Sequence, residues 1–251
     1  AGGFFCEDSM KISCEAVSRM VRSAKKLNAE IFIVGTMALR TAENAEVFIK
    51  MIKDSTGLDV HVFSGEDEAK FSWLGAVDGF EFEGDVIMFD SGGGSTEFVF
   101  GNGGEVKKIT SVPIGAVNLS EKFFNIFDKP IKKIFCDEAI KYVENLFFEN
   151  KIDEFISSEN KTLIGVGGGI VTMAGVKFAC ENFVPSKLHG SVLTVRDVNT
   201  QINMYKSLTL KERQNVIGLP ANRADIILGS ACIVAAVFEV FKAKSCIVSI
   251  N

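Results

Sequence analysis

The chain has 251 residues, 47% of them hydrophobic and 24% charged, a globular composition with material for one large domain or two small ones. A net charge of −5 argues against non-specific coating of nucleic acid. Two distant histidines, His61 and His189, argue against a zinc site or a histidine-based triad.

In chain order, residues 13–27 show helical spacing with Ser13 as N-cap, and IFIVG at 31–35 reads as a short strand. Residues 44–55 predict a helix closed by Gly57, followed by the alternating strand LDVHVF. Ser64 and Asp67 form a capping-box pattern that starts a third helix. This alternation predicts crossover units and a mostly parallel sheet. From Asp85 the grammar changes to three strands, VIMFD, TEFVFG and EVKKITSVPIG, joined by the short turns GGGS and GNGG, an antiparallel meander. A helical region at about 118–148, broken near Pro130, precedes the strand TLIGV, a second glycine cluster and a helix over IVTMAGVKFA. Helices over 195–213 and 223–241 and a last strand, SCIVSI, complete the pattern. The apolar run 226–241 contains glycine, serine and glutamate, which suits a buried helix rather than a membrane span. The six cysteines form no CxxC pair and read as reduced, buried thiols. No signal-peptide pattern opens the chain, so a cytoplasmic location and no membrane partner are expected.

The stretch VIMFDSGGGSTEFVF, 86–100, carries the strongest chemical signal. Consecutive glycines after a strand let the backbone approach a ligand and turn its N–H groups toward a phosphate. Neither glycine cluster continues into GxxxxGK[ST], and neither fits GxGxxG, so the common nucleotide loops are excluded. What remains is a phosphate cradle at Gly92, Gly93, Gly94 and Ser95, with Asp90 before it and Glu97 after it. Magnesium accepts one or two carboxylates and keeps several waters, so Asp90 and Glu97 are the expected metal residues and magnesium the expected cofactor.

With its neighbours, DSGGGSTEFVFG resembles the second phosphate loop of the exopolyphosphatase and guanosine pentaphosphate phosphatase (Ppx/GppA) family, a branch of the actin, Hsp70 and sugar kinase superfamily. VGTMALRTAENAEVF, SGEDEAK, SVPIGAVNLSEKFF, IGVGGGIVTMAG and IGLPANRADIILGSACIV fall in that family's order and cover most of the chain. The resemblance implies a two-lobed, ribonuclease H-like (actin-like) duplicated α/β fold, with 1–79 as the remaining part of a first lobe and 80–251 as the second. It implies Glu68 as catalytic base and Arg40 as a phosphate-gripping arginine. It also places Gly165, Gly167 and Gly168 at a turn that lies by the nucleoside in relatives; Gly169 stands where the family often has threonine. Arg223 and Asp225 match a family block but read equally as a structural pair. The family's first phosphate loop, Asp-x-Gly-Ser-Asn-Ser, has no counterpart here, so the chain is expected to be a fragment of a longer protein, the alternative being a protein that has lost the loop and with it much of its activity.

The resulting expectation is a magnesium-dependent hydrolase removing terminal phosphate from inorganic polyphosphate, with guanosine pentaphosphate the second substrate choice. A non-catalytic nucleotide-binding regulator on the same fold and a sugar- or acetate-kinase-like phosphotransferase are the rivals. Whether the protein is a homodimer stays open at this point.

Overall fold

The computed structural model describes residues 3–82, 84–102, 105–155 and 161–250. Gly103 and Gly104 of the expected GNGG turn lie outside the described residues. The chain divides into two compact units, Ala1–Glu68 and Ala69–Asn251.

The first unit runs α1 (Glu7–Lys26), β1 (Ile33–Gly35), α2 (Met37–Thr41), α3 (Ala45–Thr56) and β2 (Val60–Val62), then the first turn of α4 (Gly65–Val77). Helix α1 starts at Glu7 rather than Ser13. Glu7 and Asp8 lie at the positive end of the helix dipole, and Glu7 pairs with Lys11 one turn on at 2.7 Å. Met10, Cys14 and Val21 form its buried positions, and the Cys14 thiol reaches the Met51 carbonyl of α3 at 3.4 Å. As expected, Gly57 ends α3 with φ +75°, its N–H donating to Lys53 O at 2.8 Å. Strands β1 and β2 pair in parallel, with Ile33 opposite Val60. The Ser64 cap of α4 is present, Ser64 Oγ accepting from the Asp67 N–H at 3.0 Å.

The second unit contains the rest of α4, then β3 (Asp85–Ser91), β4 (Thr96–Asn102), β5 (Glu105–Val112), α5 (Ala116–Phe123), α6 (Lys133–Glu149), β6 (Lys161–Val166), α7 (Gly168–Lys177), α8 (Pro185–Leu188), β7 (Val192–Thr194), α9 (Val195–Ser207), α10 (Leu210–Arg213), α11 (Ile227–Phe241) and β8 (Ser245–Val248). The sheet order is β5-β4-β3-β6-β8-β7: β3, β6 and β8 are parallel, the meander is antiparallel at one edge, and β7 is antiparallel at the other. One face presents Ile87, Phe89, Phe98 and Leu163 to the main core, which Phe147 of α6 and Phe241 of α11 enter as aromatic neighbours of Phe98. The other face presents Val86, Met88, Val99, Ile164 and Val166 to Ala69, Trp73 and Ala76 of α4. That packing explains why the division between units falls inside α4.

Two helix boundaries of the second unit also differ from the sequence expectation. The helical section 195–213 is two helices, because the Thr209 hydroxyl accepts from the Glu212 N–H at 3.3 Å and starts α10 afresh. Helix α11 starts at Ile227 rather than Arg223, because Ala221–Arg223 forms its own 3₁₀ turn, with Arg223 N donating to Pro220 O at 2.9 Å. Among the described residues no helix is long and apolar enough to cross a membrane. All six cysteines are free thiols; five are buried and Cys6 is exposed. Burial pushes the Cys246 thiol up to about 12, which keeps it protonated and inert.

Candidate active site

In the first unit, Arg40 and Glu68 meet. Arg40 Nη1 donates to Glu68 Oε2 at 2.9 Å and to the Phe63 carbonyl at 2.7 Å. Both side chains are about one-fifth exposed (22% and 21%), so the pair is screened but still reached by water. Glu68 Oε1 accepts no hydrogen bond among the described residues, and neither Nε nor Nη2 of Arg40 donates one. The arginine therefore orients one carboxylate oxygen and leaves the other open. It also retains donors for a second anion.

In the second unit, the turn between β3 and β4 is held from outside by α5. Gly92 O accepts from Ala116 N at 2.9 Å, Gly93 O from Val117 N at 2.8 Å, and Gly94 O from Asn118 Nδ2 at 2.9 Å. Asn118 Oδ1 also accepts from Gly115 N at 2.8 Å. The carbonyls are thus occupied, while the N–H groups of Gly93, Gly94 and Ser95 donate to no acceptor among the described residues. Such an array of open N–H donors suits an anion. Gly115 is required for this contact: a Cβ there would lie 2.5 Å from Gly93 C and Gly94 N.

Asp90 and Glu97 are register partners across β3 and β4, so their side chains share the sheet face that α4 covers. Ser72 of α4 donates to Asp90 Oδ2 at 2.9 Å. Ser111, opposite Glu97 on β5, donates to Glu97 Oε1 at 2.9 Å. Glu97 is only 2% exposed, and a carboxylate buried this deeply calls for a hydrogen bond or a cation. Two carboxylates on one face, each oriented by a serine hydroxyl, fit a magnesium ion that keeps waters and borrows substrate oxygens. Among the described residues no group of three or more metal-ligating side chains forms an all-protein cage.

The second glycine turn joins β6 to α7. Gly167, at φ +94°, lies against Asp90: a Cβ there would fall 2.7 Å from Asp90 Oδ1 and 2.9 Å from Ser91 O. A Cβ on Gly168 would collide with the Arg223 guanidinium, and one on Gly169 would lie 2.7 Å from Ser230 Oγ. At Gly169, where the resemblance would often put threonine, a side chain would meet Ser230 of α11. Gly165 packs inward on Phe89 and Ile170. The two turns are neighbours, since β3 and β6 pair in parallel with Asp90 opposite Val166. Both leave the carboxyl ends of adjacent parallel strands, where open α/β sheets bind ligands. Alongside α7, a cavity of about 280 Å³ is lined by Thr172, Gly175, Glu181, Asn182, Phe183 and Pro220, among others.

Arg223 is the residue that sequence reasoning set aside. RAD at the start of an apolar run looks like helix capping. In the structure Arg223 ends the 3₁₀ turn Ala221–Arg223, and its guanidinium lies beside Gly168.

The pattern of the Ppx/GppA phosphatase family matches residues 2–250. The chain is 30% identical over 250 residues to a bifunctional 3-dehydroquinate synthase/phosphatase of Fusobacterium nucleatum, covering 94% of this chain and 37% of that protein. It is 28% identical over 243 residues to a guanosine-5'-triphosphate,3'-diphosphate pyrophosphatase of Photobacterium profundum, covering 95% of this chain and 46% of that protein. The chain thus spans less than half the length of these two relatives. Among solved structures, a PPX-GPPA enzyme of Aquifex aeolicus superposes with a TM-score of 0.83 at 30% identity, over 99% of this chain and 81% of that one.

Proposed function

Because the chain belongs to the Ppx/GppA phosphatase family, we propose that it hydrolyses the terminal phosphoanhydride bond of a linear phosphate chain, with inorganic polyphosphate the first choice of substrate. The observation that carries this reading is the first glycine turn: its carbonyls are tied to α5, its N–H groups are open, and Asp90 and Glu97 stand on the adjoining strands. The open N–H groups of Gly93, Gly94 and Ser95 cradle phosphate oxygens, and Arg223 adds a guanidinium at the neighbouring turn. Glu68 is the general base: Arg40 fixes Oε2, and Oε1 takes the proton of the attacking water as the bond to the bridging oxygen breaks. Arg40 offers its remaining donors to the charge that develops on the phosphoryl group. Asp90 and Glu97 would hold magnesium, which offsets that charge when bound.

A second reading, a guanosine pentaphosphate as substrate, is favoured by the cavity beside α7, which a nucleoside suits and a bare phosphate chain does not need. Phosphate release from polyphosphate and from guanosine pentaphosphate, with and without magnesium, tests both in the full-length protein. The expected result is a fall of about 10²–10⁴-fold in turnover for Glu68→Gln on the preferred substrate. Unchanged turnover on both would sink the assignment of the base.

A further inference from the structure

Arg213 ends α10 inside the second unit and is 0% exposed. Its Nη1 donates to the Ala224 carbonyl at 3.1 Å, while Nε and Nη2 are buried without a hydrogen-bond partner. A buried guanidinium with two unmet donors is destabilising, and an apolar side chain of similar length would cost less. The fold keeps the charge at one particular backbone point. Ala224 directly follows Arg223 and closes the 3₁₀ turn Ala221–Arg223, its N–H donating to Ala221 O at 3.4 Å. The bond from Arg213 thus grips the chain one residue beyond the side chain that lies across Gly168. The other end of the grip is anchored, since Arg213 N donates to Thr209 O at 2.9 Å and Thr209 and Glu212 form the cap of α10. Burial disfavours the charged guanidinium and holds its pKa below the ordinary value, an effect that nearby Asp225 only partly offsets.

We propose that Arg213 is a positioning residue: it locks the 3₁₀ turn so that Arg223 is held across the second glycine turn, ready for substrate phosphate. This rests on the reading of Arg223 as a phosphate-facing residue.

The test uses the full-length protein and inorganic tripolyphosphate as probe, with binding measured by calorimetry beside KM and melting temperature. For Arg213→Met, binding should weaken about tenfold, the scale of one charged hydrogen bond, while the melting temperature holds or rises. Arg223→Ala should weaken binding at least as much, and the double variant should equal Arg223→Ala alone, because one residue acts through the other. Arg213→Lys, which keeps a donor for Ala224 O, should restore part of the loss and serves as the variant if the methionine protein does not fold. A lowered melting temperature with unchanged affinity would reduce Arg213 to a structural residue. Fully additive losses would show that it does not act through Arg223. Unchanged binding in Arg223→Ala would overturn the parent reading and this inference with it, whereas a loss there with none in Arg213→Met and Arg213→Lys would overturn only this inference.

Discussion

The two glycine turns have nearly the same sequence grammar, an apolar strand followed by a glycine triplet, and their surroundings differ. At the first, α5 binds the carbonyls and leaves the N–H groups of Gly93, Gly94 and Ser95 open. At the second, the space beside each glycine is filled: Asp90 and Ser91 lie against Gly167, Arg223 against Gly168 and Ser230 against Gly169. The first leaves a row of backbone N–H donors open, an arrangement that suits an anion. The second is a close-packed corner that presents a guanidinium. A glycine triplet therefore signals only that something approaches the backbone closely; the neighbouring elements decide whether that is a ligand or the protein itself.

Five substitutions test this contrast. The largest effect is expected for Gly115→Ala, whose new Cβ would lie 2.5 Å from the backbone of Gly93 and Gly94 and must displace the cradle. Turnover should fall about 10²-fold, the usual cost of a misplacement near 1 Å, as read by phosphate release. Full activity in that variant would show that the turn does not hold the reacting phosphate. Next, Ser72→Ala removes the 2.9 Å bond to Asp90 and should raise the magnesium concentration for half-maximal activity about tenfold, measured by metal titration. An unmoved titration curve would separate Asp90 from the metal.

At the second turn the expectation reverses. Gly169→Thr should destabilise by about 1–3 kcal/mol, seen in chemical denaturation, because Ser230 must give way, while turnover stays near that of the parent. Adding Ser230→Gly should recover most of the loss; no recovery would place the strain elsewhere. The smallest effect concerns the far end of α7, where Lys177 pairs with Asp197 at 2.8 Å. Burial pushes the Asp197 carboxyl up, but the bonds from Lys177 and Thr194 outweigh it and hold the group below its ordinary value of 3.8. Its stabilisation is thus present above pH 3.8 and lost as the pH falls through the lower, folded-state value. Asp197→Asn should cost about 1 kcal/mol or less at neutral pH, and the gap to the parent should close in strong acid. A gap that is constant with pH would assign the effect to the hydrogen bonds of the α9 cap alone.

Much of the candidate site's geometry was legible because it is local. Asp90, the four residues Gly92–Ser95 and Glu97 lie within one hairpin, where strand periodicity sets the face each side chain takes. The Ser64–Asp67 cap and the left-handed Gly57 were legible for the same reason, since each is decided within four residues. Arg223 and Arg213 were not. Their roles depend on a 3₁₀ turn and on a contact to Ala224 eleven residues away in sequence, which helical periodicity does not encode. The start of α1 was missed because it rests on the first-turn acids and an exposed ion pair, which leave no apolar pattern.

The sequence by itself determined the alternation of elements, the antiparallel meander and the acids around the first glycine turn, because propensity and period act over a few residues. Tertiary structure alone decided the sheet order, in which β6 inserts beside β3 and brings the second glycine turn against Asp90. It also decided that Arg40 fixes Glu68, that α5 occupies the carbonyls of the first turn, and that a buried Arg213 holds the turn carrying Arg223. The reason is the same in each case: a hydrogen bond or close contact between residues distant in the chain exists only once packing has brought them together.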